Sequence, residues 1–439
     1  LGHYVPHTDD EIQSMLAFMG LSSLDELFDA VPAALRLAAG DLDLAAGLSE
    51  FETLDEMARL AGGNRPCGPD LVCFAGGGAY DHELPAAVKR VAFRSEFVTA
   101  YTPYQPEVAQ GVLQTLFEYQ TLIARLSGVE VANASLYDGA SACVEGLNLA
   151  VAATGRQKVL VSAGVHPNWR AVIDTFAAGT GHQVAEQPLV DGLTAWDTSE
   201  PAGAVLVQYP NYFGCIEDLA EARRAADATG ALLVVAFDPV AVGLLKTPGS
   251  YGADVVVGEG QPFGTPLSFG GPYLGLFACK LEHVRRLPGR LVGETVDTEG
   301  RRAYVTTLRT REQDIRREKA SSNVCTNQTL IAVCCAIQLG WLGTGGLREL
   351  ALRSARATRY TREALLAIDG VEPLFDAAVL REFAVRTPLD AHVLAERMAD
   401  EGFLAGVPLD GGGLLVSATE RRTRDEIDRY AQAVEKVIR

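Results

Sequence analysis

The chain has little of several things that mark common functional classes. Its eight cysteines include no CxxC pair, and none of its seven histidines is spaced with them as a ligand set. That argues against a zinc site, and no metal is expected. The cysteines read as small core residues. Positive charge is scarce: Lys plus Arg is 38 against 56 for Asp plus Glu, a net charge of −18. Nonspecific binding to nucleic acid or to an anionic membrane is therefore not expected. No apolar run reaches the roughly 18 residues of a membrane span. The most apolar one, Leu330 to Gly343, is broken by Gln338 and reads as a buried core helix. No GxGxxG follows the first strand-like runs, which weighs against a nicotinamide fold. Internal repeats and low-complexity linkers are missing as well. Leu1 to Tyr4 lack the charged and apolar regions of a signal peptide, so a cytoplasmic address is expected.

What remains is globular. Hydrophobic residues make up 48% and charged residues 21% of 439 residues, enough for two or three domains. The first 65 residues read as a helical arm packed on the main domain. Thr8 with Glu11 and Ser23 with Glu26 fit capping boxes. From Val108 to Gly128 the apolar residues fall at helical spacing. Apolar runs then alternate with helical patterns. The strand-like runs are Val159–Val161, Ala204–Val207, Ala231–Ala236, Asp254–Val257 and Leu274–Ala278. Between them lie helical stretches at Asn168–Ala178 and Asp218–Thr229. This predicts an α/β fold with a mostly parallel sheet and one antiparallel strand near its end. Residues 66–326 are assigned to that large domain. Residues 327–439 read as a smaller α+β domain, with helices over Asn327–Gly340 and Leu347–Ala367. Its strands are expected at Glu382–Val385 and Gly413–Val416, and a third capping box at Thr423 with Glu426.

Several turns fall where open α/β sheets place ligands. Tyr137–Ala142 could present backbone amides to a phosphate, with Ser141 at the helix start; a plain strand-to-helix turn would look the same. His166 could stack on an aromatic ring or handle a proton, or be structural. Asp238 could hold a protonated pyridine nitrogen or cap the next turn. Gly258–Pro266, which includes Gln261, reads as a constrained loop, and Ala75–Gly78 as a flexible turn. Tyr101–Gly111 combines prolines and tyrosines and suits an interface or pocket rim. Arg316–Asn327 could be a solvated helix face followed by a linker or pocket wall at Ser322 and Asn323.

Taken in order, five segments resemble one family. They are Tyr101–Gly111 (YTPYQPEVAQG) with Phe117–Thr121, Val131–Gly139 (VANASLYDG), Leu287–Thr295 (LPGRLVGET) and Ser322–Thr326. The chain resembles the first subunit of the two-subunit glycine dehydrogenase (decarboxylating), the P-protein of the glycine cleavage system. The resemblance implies a pyridoxal-phosphate-dependent fold of the aspartate aminotransferase type. It implies a complex with a homologous second subunit, two copies of each. Such a complex takes glycine, releases CO2 and passes the aminomethyl group to the lipoyl arm of the H-protein. In the second subunit of this family a lysine forms the Schiff base. Gln261 stands at the matching position here, and a glutamine amide is not nucleophilic enough for that bond. The resemblance therefore implies pyridoxal 5′-phosphate on the partner subunit. Ser141, His166, Asp238 and Gln261 would then be remnants of a cofactor pocket. Tyr101, Tyr104, Ser322 and Asn323 are candidates for the site entrance. Two alternatives stay open. One is a structural or regulatory pseudoenzyme. The other is a self-sufficient pyridoxal-phosphate lyase using Lys246, one of only six lysines.

Overall fold

The computed structural model describes residues 6–37, 43–99, 102–308, 320, 322 and 324–439. The chain divides into two compact units, Leu1–Arg65 and Pro66–Arg439. In the first unit, Asp9–Met19 and Glu50–Ala61 are helices, each started by a complete capping box: Thr8 with Glu11, and Ser49 with Glu52. The box expected at Ser23 does not form. Leu24–Phe28 is a short 3-10 turn without a side-chain cap, and Glu26 bonds the backbone of Ser22 instead, at 3.1 Å.

A seven-stranded sheet organises the second unit. We number its strands β1 (Val131–Ala132), β2 (Lys158–Ser162), β3 (Gln183–Gln187), β4 (Ala204–Tyr209), β5 (Leu232–Phe237), β6 (Val255–Glu259) and β7 (Gly275–Cys279). Across the sheet the order is β1-β7-β6-β5-β4-β2-β3. The pairs β2/β3, β2/β4, β4/β5 and β5/β6 are parallel, while β7 runs antiparallel to both of its neighbours. Its central strands are apolar throughout because both faces are covered. Val205, Val207, Leu233, Val235 and Val256 face one buried cluster; Ala204, Leu206, Val234, Val255 and Val257 face another. The helices Gly139–Thr154 and Pro167–Thr180 follow β1 and β2.

A four-stranded antiparallel sheet lies in the C-terminal part, in the order Glu372–Pro373, Glu382–Arg386, Leu414–Ser417 and Val407–Pro408. It shares a core with the helices Ala391–Asp400 and Arg424–Ile438, the latter started by the Thr423–Glu426 capping box. Val72–Cys73 joins this region, pairing in parallel with Phe403–Leu404. Phe74 then stacks on Tyr430 at 4.0 Å. The two helical patterns read after residue 327 form one run, Thr329–Leu366, broken by non-helical backbone at Gly343. Among the described residues it alone is long and apolar enough to cross a membrane, with hydropathy 1.7. Here Ala332, Cys335, Leu339, Leu350 and Ala351 are packed into the core, which explains its apolar character.

Candidate functional site

The carboxyl ends of β2, β4, β5 and β6 converge on a small cleft, the place where open α/β sheets bind ligands. It is lined by His166, Gln208, Asp238 and Glu259, with Tyr80 and Arg381 closing it from the other side.

Asp238 follows β5 directly. Its Oδ1 accepts the Val240 N–H at 2.9 Å, so it does cap a turn. Its Oδ2 pairs with the Arg381 guanidinium at 2.8 Å. Arg381 stands immediately before the strand Glu382–Arg386 and is 5% exposed. Its guanidinium donates to His82 Nε2 at 2.9 Å and lies over the Tyr80 ring, 3.4 Å from the centroid. Because arginine only donates, His82 Nε2 is the acceptor, and Nδ1–H donates to Glu420 at 2.7 Å. Burial works against the Arg381 charge. Asp238, Tyr80 and Glu382 outweigh it and hold the guanidinium above its ordinary range. Tyr80 in turn donates its hydroxyl to Glu382 at 2.6 Å. Burial pushes the Glu382 carboxyl up to about 7.

Glu259 ends β6 and is buried. Its carboxylate accepts three backbone N–H groups, from Gly139, Gln261 and Leu274, each at 2.9 Å. Gly139 opens a 16-residue helix, so an acid side chain occupies that helix's positive end. Burial pushes Glu259 up to about 8, against the three donors that favour its charge. The close packing explains the glycine. A Cβ at Gly139 would lie 2.4 Å from the Trp169 ring.

His166 caps the helix Pro167–Thr180. Its Nδ1 accepts the Asn168 N–H at 3.1 Å and its Nε2–H donates to the Gly77 carbonyl at 2.6 Å. Both ring nitrogens are engaged, and burial lowers the imidazole below its ordinary pKa. The segment Ala75–Gly78 is therefore a packed strap rather than a flexible turn. Gly77 and Gly78 have φ of 70° and 104°, and a Cβ at Gly78 would meet the His166 ring at 2.9 Å.

Ser141 and Gln261 belong to the same neighbourhood but do not line the cleft. The Ser141 N–H donates to the helix-capping Asp138 at 2.7 Å. Gln261 is 1% exposed, and its side-chain amide is fully used. Oε1 accepts the Tyr80 N–H at 3.0 Å; Nε2 donates to the Tyr80 and Thr265 carbonyls at 3.1 and 3.0 Å. Sequence reasoning missed Arg381, Tyr80 and Glu259. The pairing of the C-terminal strands delivers Arg381, which no motif announces. Glu259 lay inside the glycine-rich loop that was singled out, where a lone acidic residue at a strand end was the available signal.

The entrance candidates lie elsewhere. Tyr104 is exposed, with Arg290 5.4 Å from its ring centroid, and it lines a separate groove of about 910 Å3 with Phe97, Thr102, Gln105 and Val108. Ser322 accepts the Val324 N–H at 3.1 Å. Tyr101 and Asn323 lie outside the described residues. The sequence motifs do meet one another. The Ser135 hydroxyl accepts Asn327 Nδ2 and Gln328 N–H, both at 3.1 Å. Asn327 Oδ1 accepts Arg290 at 2.7 Å, and the Tyr137 hydroxyl accepts the Cys325 N–H at 3.0 Å. Lys246 is exposed and does not line the cleft.

A pyridoxal cofactor does not fit this chain. The cleft holds about 30 Å3, room for about one or two waters. Small-molecule sites run to about 300–1,000 Å3. The carboxylate that would meet the ring nitrogen already holds Arg381. The helix end that would meet a phosphate already holds Glu259. No lysine lines the cleft among the described residues.

The profile of the family described as "Glycine cleavage system P-protein" matches residues 2–434. A curated relative from Desulforamulus reducens, "Probable glycine dehydrogenase (decarboxylating) subunit 1", is 47% identical over 440 residues, covering 98% of each chain. A crystal structure titled glycine decarboxylase (P-protein) of the glycine cleavage system, in inhibitor-bound form, superposes with a TM-score of 0.93 at 45% identity. It covers 99% of this chain and 100% of that one. The sphingosine-1-phosphate lyase of Burkholderia pseudomallei shares the fold, with a TM-score of 0.61 at 16% identity over 93% of this chain and 94% of its own. The architecture is thus that of fold-type I pyridoxal-phosphate enzymes.

Proposed function

This chain belongs to the glycine cleavage system P-protein family, and on that premise we propose that it is the subunit of glycine dehydrogenase (decarboxylating) that carries no cofactor. In this reading a homologous second subunit holds pyridoxal phosphate. The assembled enzyme, two copies of each chain in the cytoplasm, decarboxylates glycine and delivers the aminomethyl group to the lipoyl arm of the H-protein. One observation supports the assignment: the cleft that would take a cofactor is filled by the Asp238–Arg381 pair. It goes with the reading that Gln261, whose amide is tied to the Tyr80 and Thr265 carbonyls, takes the place of a Schiff-base lysine.

The chain's own contribution is then scaffold and rim. Tyr104 lines the wide groove beside Arg290, which is tied through Asn327 to the buried Ser135, and we assign this motif-rich region to the partner-facing side of the site. The reading that uses Lys246 has no support in the geometry, because that side chain is exposed.

Glycine decarboxylation assayed with each chain alone and with the mixture tests the reading. Turnover in the mixture only is expected. Full turnover by the second subunit alone would reduce this chain to a stabilising partner, and turnover by this chain alone would refute the assignment. Within the active mixture, Tyr104→Phe should change KM or kcat for glycine. If both are unchanged, Tyr104 is not at the rim.

A further inference from the structure

The filled cleft has a consequence for how the molecule is held together. We propose that Arg381 and Glu259 are built-in stand-ins for a bound cofactor, and that the Asp238–Arg381 pair locks the C-terminal four-stranded sheet onto the seven-stranded sheet. The chain is then fixed in a closed form that needs no ligand.

Three observations carry the proposal. First, the pair spans the two sheets. Asp238 ends β5, whereas Arg381 leads into the strand Glu382–Arg386, and its carbonyl is held in the C-terminal region by the Thr358 hydroxyl at 2.8 Å. Second, the charges sit in the positions a charged ligand would take. Asp238 faces a cation at the carboxyl end of a central strand. The amide of Gly139 faces a carboxyl oxygen at a helix start, where phosphate groups bind readily. In this chain the Arg381 guanidinium and the Glu259 carboxyl group take both positions. Third, the surrounding groups are arranged for this occupant. Tyr80 offers its ring face at 3.4 Å, a cation–π contact, and His82 offers a lone pair at 2.9 Å. The neighbouring residue Glu382 repeats the bridge, accepting the Gly77 N–H at 2.9 Å and the Tyr80 hydroxyl at 2.6 Å. Gly77 is in turn held by His166, at the start of the helix that follows β2. Arginine suits the role because its planar fork can meet an acid and a lone pair at once.

The lock is independent of which subunit carries the cofactor, so its test uses the full chain alone. Arg381→Ala leaves Asp238 buried without its partner, which is strongly destabilising. A melting temperature lower by about 4–6 °C is expected for a unit of this size. Faster amide hydrogen exchange in both Gly76–Tyr80 and Glu382–Arg386 should accompany it. Methylguanidinium chloride, which fits the vacated space, should restore both readings; sodium chloride at equal ionic strength should restore neither. Asp238→Asn keeps the volume and removes the charge, so it should show the same faster exchange even if Arg381→Ala fails to fold. Unchanged melting and exchange in Arg381→Ala, or unchanged exchange in Asp238→Asn, would overturn the lock. Stoichiometric uptake of pyridoxal phosphate by the unaltered chain would overturn the stand-in role, and would do so without bearing on the exchange result.

Discussion

Placing a lysine at position 261 tests whether the lack of one there is the sole obstacle to cofactor binding. In Gln261→Lys the ammonium can donate to the Tyr80 and Thr265 carbonyls that the amide serves at 3.1 and 3.0 Å. It cannot accept the Tyr80 N–H that the amide oxygen takes at 3.0 Å. An orphaned buried donor costs about 1–3 kcal/mol. The position is 1% exposed, so a charge there adds a desolvation cost. The total is about 2–4 kcal/mol, or about 3–5 °C in melting temperature for a unit of this size. Arg381 still holds Asp238, and Glu259 still holds the Gly139 amide, so the lysine gains no cofactor to bond. Calorimetry reads the first effect. Incubation with pyridoxal phosphate, borohydride reduction and intact-mass measurement read the second. A stoichiometric label on Lys at 261 from this one change would refute the argument that the cleft is filled.

Three further outcomes follow from the same geometry. Burial raises Glu382 to about 7 and Glu259 to about 8 from an ordinary value of 4.5, so the folded chain binds more protons than the unfolded chain across that window. Their contribution to stability is full below about 4.5 and is lost as pH rises through 7 and 8; melting temperature between pH 6 and 8 should fall, and less so in Glu259→Gln. Gly139→Ala places a Cβ 2.4 Å from Trp169 and 3.2 Å from Glu259 Cβ. Denaturant unfolding should show a loss of about 1–3 kcal/mol, and no loss would mean that Trp169 moves freely. Asp138→Ala removes the cap that accepts the Ser141 N–H at 2.7 Å and should cost about 1 kcal/mol by the same assay.

Much of the fold is legible because its signals are local. The strands Val159–Val161 and Ala204–Val207 are apolar on both faces, which only a covered parallel sheet requires. Thr8 with Glu11 and Thr423 with Glu426 mark helix starts by a three-residue spacing. Ser49 with Glu52 has the same spacing and was overlooked. At Ser22–Glu26 the four-residue reach from the neighbouring serine won over the expected box. Two helical patterns separated at Gly343 were read correctly as interrupted, although the interruption is a kink within one helical run.

The site is legible only in half. Asp238 stands out because it directly follows a strand, and His166 because it opens a helix four residues after one. Arg381 does not, because it reaches the cleft only through the pairing of Glu382–Arg386 with Leu414–Ser417. Its bond to His82 joins residues 299 positions apart. Its partners come from two distant stretches of chain, Tyr80 with His82 and Asp238, and its buried Nε has no hydrogen-bond partner among the described residues. Ser141 illustrates the converse: its turn has the right sequence for a phosphate cup, but the amide at the helix start is already taken by Glu259.

The central claim is that this chain serves a cofactor it does not hold. The direct measurement is borohydride reduction of the active two-subunit mixture with pyridoxal phosphate, followed by peptide mapping of both chains. The account predicts one cofactor per pair of subunits, attached to a lysine of the second subunit, and an unlabelled first subunit. A reduced pyridoxyl group on any lysine of this chain, at stoichiometric yield, would contradict it.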